Sequence, residues 1–167
     1  TINNTLTAAL ATIKENNDIQ FIWQTGKYYY PQVTEALRAA GELPNLYVTD
    51  FIKDMAAAYA ASDLVISRAG AGSISEFCLL HKPVVLVPSP NVEEDHQTKN
   101  ALALVDKQAA IYVKDSEAEA KLMDVALNTV ADDRKLKELS ENIAKLALPD
   151  SARIIAQEVI KLAEAEN

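Results

Sequence analysis

The run Ser67-Arg-Ala-Gly-Ala-Gly-Ser-Ile-Ser-Glu76 places two glycines, three serines and one carboxylate between an apolar segment and a helical pattern. In an open α/β sheet, ligands collect outside the carboxyl ends of the strands. A helix starting there offers unpaired N–H groups and the positive end of its dipole, which is chemistry suited to a phosphate. Gly70 and Gly72 would let the backbone approach a ligand closely and adopt positive φ, and Ser73 would cap the helix or hydrogen-bond a phosphate oxygen. Any tight strand-to-helix turn also favours Gly and Ser, so phosphate binding and plain turn formation both stand. Glu76 likewise has two readings. As a carboxylate beside a phosphate site it needs neutral donors, and the vicinal hydroxyls of a ribose supply them. As the partner of Ser73 three residues earlier it would complete a capping box.

A second polar loop, Pro88 to Asn100, follows the most apolar run of the chain. His96, Gln97 and Asn100 carry both donors and acceptors, as recognition of a hydroxyl-rich sugar requires, although an ordinary surface loop with a helix cap would look similar. Ile52 and Met55 are candidate walls of a base pocket or members of the core, and Gln24-Thr-Gly26 ends its own strand at the same edge. Cys78 reads as a small buried helix residue, His81 as a helix-end residue, and Tyr28-Tyr-Tyr30 as a helix start.

These loops need a scaffold that brings strand ends together. Helical spacing over about 4–16 precedes a β-branched and aromatic run over 19–25; Pro31 starts a helix reaching about Ala40, and Leu46 to Thr49 is a strand. A helix over about 53–62, a strand over 64–67, a helix over 73–80, a strand over 83–87, a helix over 96–107, a strand over 109–113 and a helix over 117–128 continue the alternation. Pro83-Val-Val-Leu-Val87 is continuously apolar, the mark of a strand covered on both faces. The pattern predicts an α/β fold with a parallel sheet, right-handed crossovers and helices on both faces. Two helices, about 132–146 and 151–164, form a terminal arm expected to pack on the body. With no internal repeat or Gly/Ser linker, residues 1–167 read as one domain.

Bulk properties narrow the function. Twenty-four acidic against 16 basic side chains leave a formal charge of -8, which disfavours nucleic acid as a partner, because phosphate neutralisation by Lys and Arg dominates such binding. One cysteine and two distant histidines give no disulfide and no zinc-ligand spacing, so neither metal nor cofactor is expected. No run reaches the ~18 apolar residues of a membrane span and no signal-peptide pattern occurs, so a cytoplasmic location is expected. The chain begins at Thr1, and we expect it to be a piece of a longer protein.

Three separated blocks then carry a specific resemblance: Phe51-Ile-Lys-Asp-Met-Ala-Ala-Ala-Tyr59, Ser67 to Glu76, and Asp95-His-Gln-Thr-Lys-Asn-Ala101. In order and spacing they resemble the C-terminal, donor-binding domain of the MurG family. Softer similarity covers the rest of the chain. The family transfers N-acetylglucosamine from UDP-N-acetylglucosamine to lipid-linked N-acetylmuramyl-pentapeptide in peptidoglycan synthesis. The resemblance implies one Rossmann-like half of a GT-B glycosyltransferase, with the acceptor handled by an N-terminal domain outside this chain. The full-length enzyme would work at the cytoplasmic face of the inner membrane.

The resemblance also implies residue roles. Ile52 would meet uracil through its main chain, the amides of Ala71, Gly72 and Ser73 would contact the diphosphate, and Glu76 would hold the ribose. His96 and Gln97, with Asn100 close behind, would face the sugar. His96 stands where some members have Gln. Arg68 matches the family's arginine without an assigned role, and no catalytic residue is named. A donor-binding subunit of a bipartite lipid-linked-sugar transferase, a UDP-sugar 2-epimerase-like domain and a non-enzymatic interaction module are the rivals; the second would need catalytic carboxylates and His that this sequence does not place.

Overall fold

Five short strands and nine α-helices alternate along the residues that the computed structural model describes, 1–91 and 95–165; positions 92–94 of the second polar loop lie outside the described residues. The strands are β1 (Phe21–Gln24), β2 (Leu46–Thr49), β3 (Val65–Ser67), β4 (Val84–Leu86) and β5 (Ile111–Tyr112). The helices are α1 (Ile2–Ala8), α2 (Leu10–Glu15), α3 (Tyr30–Ala40), α4 (Met55–Ala61), α5 (Ala71–Leu80), α6 (His96–Val105), α7 (Ala118–Val130), α8 (Asp133–Ala144) and α9 (Ser151–Ala165). The single helix expected over 4–16 is two, because the N–H of Ala9 is shared between the carbonyls of Thr5 and Leu6 and the turn tightens there.

Every strand pair is parallel, as the alternation requires. Among the described residues the hydrogen-bonded ladders fall into two sheets, β1-β2 and β3-β4-β5. The second is covered on both faces. Val84 and Leu86 meet Phe77 and Cys78 of α5, Ala101 and Leu104 of α6 and Ile143 of α8, while Val85 and Val87 meet Ala118 and Leu122 of α7 and Ile2 of α1. Consecutive strand residues point to opposite faces, so a strand buried twice must be apolar at every position, as β4 is. The β1-β2 sheet packs one face, through Trp23 and Val48, on Leu10, Ile13 and Val33, and leaves the cross-strand pair Ile22 and Tyr47 exposed on the other.

Helix α7 ties the sheets together. Leu122 joins the cluster of the three-stranded sheet, and Met123, one residue on, joins that of the two-stranded sheet. Burying a side chain of this size contributes about 1.5–3 kcal/mol. The terminal arm departs from expectation. α8 packs Leu139 and Ile143 into the core, but Ile154, Ile155, Val159, Ile160 and Leu162 of α9 are all more than half exposed, and among the described residues none of α9 joins the core clusters of the sheets.

Two polar fixtures hold the loops. Buried Asn45 donates from Nδ2 to the carbonyls of Ile13, Asn16 and Ile19 at 2.8, 3.1 and 3.1 Å, closing the connection from α2 to β1. At the opposite ends of the strands, Arg68 Nη1 donates to the carbonyls of Val87 and Pro88 at 3.0 and 3.2 Å and pairs with Asp115 Oδ1 at 2.5 Å. One guanidinium thus links the segments leaving β3, β4 and β5. Asp115 Oδ2 also accepts from the Thr1 hydroxyl. Partial burial pushes the Asp115 carboxyl up, but the Arg68 hydrogen bond, the Thr1 hydroxyl and the guanidinium charge outweigh it and hold the group below its usual 3.8.

Replacing Asn45 by Ala removes one donor from each of three carbonyls, two of which, those of Ile13 and Asn16, keep a backbone N–H, and should cost about 1–3 kcal/mol in urea denaturation. Asn45→Asp should cost more at neutral pH, where a carboxylate would face those carbonyls, and recover on acidification. For the Arg68 pair the sign follows from the lowered folded-state pKa of Asp115, whose stabilisation is present above the unfolded value and is lost as pH falls through the folded one. Arg68→Ala should therefore unfold at lower denaturant than the parent at pH 7. The gap should narrow below pH 3.8 without closing, since the bonds to Val87 and Pro88 are absent from the variant at every pH.

Candidate functional site

The carboxyl ends of β3 and β4 carry the loops that the sequence singles out. Helix α5 begins at Ala71 with Gly70 as its N-cap, and no side chain caps it. The N–H groups of Ala71, Gly72 and Ser73 are the orphan donors of that first turn. Ser73 is therefore not the cap, and Glu76 is the sixth residue of the helix rather than its third, so the capping box does not form. Nor do the glycines take positive φ. Gly70 has φ -69° and ψ 142°, and among the described residues only Gly26 and Gly41 are glycines with positive φ. What the glycines supply is space, because a Cβ built on Gly70 or Gly72 would meet nothing within 4 Å. The front of the helix start is open.

The turn leading into that helix is held by α6. Gln97 Oε1 accepts from the Ala69 N–H at 3.2 Å and from the Ser89 N–H at 2.9 Å, and Asn100 Nδ2 donates to the Ala69 carbonyl at 3.1 Å. Both backbone polar groups of one buried residue, Ala69, are clamped by side chains one helical turn apart. Two of the residues expected to face a sugar thus hold the turn that leads into α5. These bonds use Gln97 Oε1 and Asn100 Nδ2, and leave Gln97 Nε2 and Asn100 Oδ1 out of the clamp. His96 is the exposed first residue of α6, following Asp95 in the left-handed region.

Glu76 is exposed and accepts from the Tyr59 hydroxyl at 3.0 Å. Tyr59 comes from α4, where it packs edge-on against Phe77 with ring centroids 5.9 Å apart. Burial, then the Glu76 hydrogen bond and charge, push its phenol up to about 12, so it remains a donor at any physiological pH. The pair lies on the wall of a cavity of about 510 Å³ between α4 and α5, lined also by Met55, Ala56, Ala60, Leu80 and Lys82. Met55 is thus part of a pocket wall. Ile52 lies just before α4, and its N–H donates to Gln24 Oε1 at 2.8 Å, so its carbonyl is the main-chain group left for a ligand.

The structure therefore brings Ala71, Gly72 and Ser73 together with Gln97 and Asn100 through the backbone of Ala69, and sets Glu76 beside Tyr59 on the neighbouring groove. Sequence reading missed Tyr59 and Asp115. Each acts across a tertiary distance, 17 residues from Glu76 and 47 from Arg68, where no local spacing rule connects them. Among the described residues, no group of three or more His, Cys, Asp or Glu side chains could hold a metal ion. No described helix is long and apolar enough to cross a membrane.

Comparison with known proteins places this arrangement. Residues 1–155 match the glycosyltransferase family 28 C-terminal domain. The chain is 99% identical over all 167 residues to 45% of the UDP-N-acetylglucosamine–N-acetylmuramyl-(pentapeptide) pyrophosphoryl-undecaprenol N-acetylglucosamine transferase of Bacteroides thetaiotaomicron. It is 50% identical, over 99% of its length, to 43% of the Porphyromonas gingivalis (strain W83) protein of the same description. The crystal structure of Acinetobacter baumannii MurG superposes with a TM-score of 0.80 at 29% identity, covering 96% of this chain and 46% of that one. The chain spans less than half the length of the curated relatives it matches. On the family match across 1–155, the chain belongs to the glycosyltransferase family 28 C-terminal domain family.

Proposed function

We propose that this chain is the donor-binding part of an inverting glycosyltransferase that takes N-acetylglucosamine from UDP-N-acetylglucosamine and passes it to lipid-linked N-acetylmuramyl-pentapeptide. The observation that carries the reading is the uncapped start of α5, with three orphan amides behind two glycines that leave open space. It lies in a family 28 domain, and relatives matching the whole chain are described as that transferase. The acceptor is handled by sequence outside this chain, and the longer protein works at the cytoplasmic face of the inner membrane.

Each group has a task in this reading. The amides of Ala71, Gly72 and Ser73 and the positive end of the α5 dipole hold the diphosphate, whose negative charge grows as the bond to the anomeric carbon breaks. Fixed donors aimed at a leaving group stabilise that charge without reorganising. Glu76 accepts from the ribose hydroxyls, and the Ile52 carbonyl accepts from the uracil ring N–H. Gln97 Nε2 donates to a sugar oxygen, Asn100 Oδ1 accepts from a sugar hydroxyl, and His96 borders the same side. In the transfer the acceptor hydroxyl oxygen forms the new bond to the anomeric carbon, UDP leaves with the electron pair, and the acceptor proton goes to a base outside the residues assigned here.

Isothermal titration calorimetry of this chain with UDP and with UDP-N-acetylglucosamine at millimolar ligand tests the reading directly. Binding of both is expected, and a folded sample giving no heat with either overturns it. Glu76→Ala removes hydrogen bonds to a charged group worth about 1.5–3 kcal/mol, so UDP affinity should fall by roughly ten- to a hundredfold with little change in stability. Gly72→Ala should separate ligand approach from folding. Alanine is the better helix former by about 0.5–1 kcal/mol and its methyl meets no protein atom, so the denaturation midpoint should rise while UDP binding weakens.

A further inference from the structure

Glu76 is an exposed glutamate on an open groove, and such a side chain samples many rotamers that must be frozen before it can hold a ligand. One neighbour limits that freedom. Tyr59 reaches across from α4 with its hydroxyl 3.0 Å from Glu76 Oε2. Its ring is fixed by edge-on contact with the fully buried Phe77 and by packing on the core cluster of the three-stranded sheet. The donor therefore sits at a set point. Lys82, the cation on the same cavity wall, is otherwise engaged, its Nζ lying 2.8 Å from the Ser62 carbonyl.

We infer that Tyr59 is a positioning residue for Glu76: its anchored hydroxyl occupies Oε2 and orients the carboxylate so that the remaining acceptor sites of Oε1 and Oε2 meet the vicinal hydroxyls of the donor's pentose. The inference rests on the proposed role of Glu76 and adds a second residue to it. The phenol gives one hydrogen bond and takes no part in bond making. Because its burial and the adjacent carboxylate push its pKa up to about 12, it does not lose that proton in the working range. The effect is preorganisation, in which ordering that would oppose binding is already built into the folded chain.

Tyr59→Phe tests this with the least disturbance, since it keeps the ring and its contact with Phe77 and removes only the donor. UDP affinity is measured by ligand-observed NMR titration for the parent chain, Tyr59→Phe, Glu76→Ala and the double variant, with denaturation midpoints to verify that each is folded. In the parent background Tyr59→Phe should weaken UDP binding about three- to tenfold, the range expected for one hydrogen bond acting indirectly. In the Glu76→Ala background the same change should weaken it less than about twofold, because the group that Tyr59 orients is gone. An equal loss in both backgrounds, or no loss in the parent, overturns the inference and leaves the ribose role of Glu76 intact. Unchanged affinity in Glu76→Ala alone overturns the ribose role and this inference with it.

Discussion

The candidate site depends on the backbone of one residue, Ala69, whose N–H and carbonyl, members of the two successive peptide units that flank it, are held by Gln97 and Asn100 of the next helix. A buried backbone group without a partner costs as much as a lost hydrogen bond, so a turn pulled out of its sheet ladder must be satisfied some other way. Here two amide side chains on one face of α6 do it. Because the peptides on both sides of Ala69 are fixed, the direction in which the chain enters Gly70 is fixed too, and so is the aim of the first turn of α5. Gln97 extends the restraint by accepting from Ser89, which couples the turn after β3 to the loop after β4. Arg68 repeats the logic with charge, crossing from β3 to the segments after β4 and β5. The strand ends are laced together by side chains because the strands themselves, two to four residues long, are too short to do it.

Much of this was legible in the residues, and the reasons are particular. Continuous apolarity at 83–87 reads as a strand buried twice, and the structure covers β4 on both faces. The Gly-Ala-Gly-Ser turn and the polar start of α6 announced themselves by composition and by their place after strands. What those residues do was less legible. The glycines were expected both to let the backbone approach a ligand closely and to adopt positive φ; neither takes positive φ, and the space in front of them is open. Ser73 had the residue type and spacing of a cap, but the helix begins two residues earlier, since Gly70 already provides the extended backbone that a cap requires.

Other features lay beyond any one-dimensional reading. The partnerships of Tyr59 with Glu76 and of Asp115 with Arg68 are made by the fold and have no signature in spacing. The division of the strands into two bonded sheets is equally invisible, because both sheets use the same βαβ grammar. α7 resolves the division through a simple periodicity: neighbouring positions on a helix point about 100° apart, so Leu122 and Met123 can enter two different clusters.

Helix α9 follows other rules than the body. Fifteen residues is near the length at which an isolated helix is marginal in water, and this one draws no support from burial of its apolar stripe. Its backbone hydrogen bonds are then a local equilibrium rather than part of the cooperative unit. Amide exchange would report two clocks in one chain: slow in β4 and α7, where opening requires global unfolding, and close to the free-peptide rate in α9. A melting curve followed by helical signal would accordingly carry a gradual, nearly linear component beneath the sigmoid, contributed by a segment that frays rather than melts.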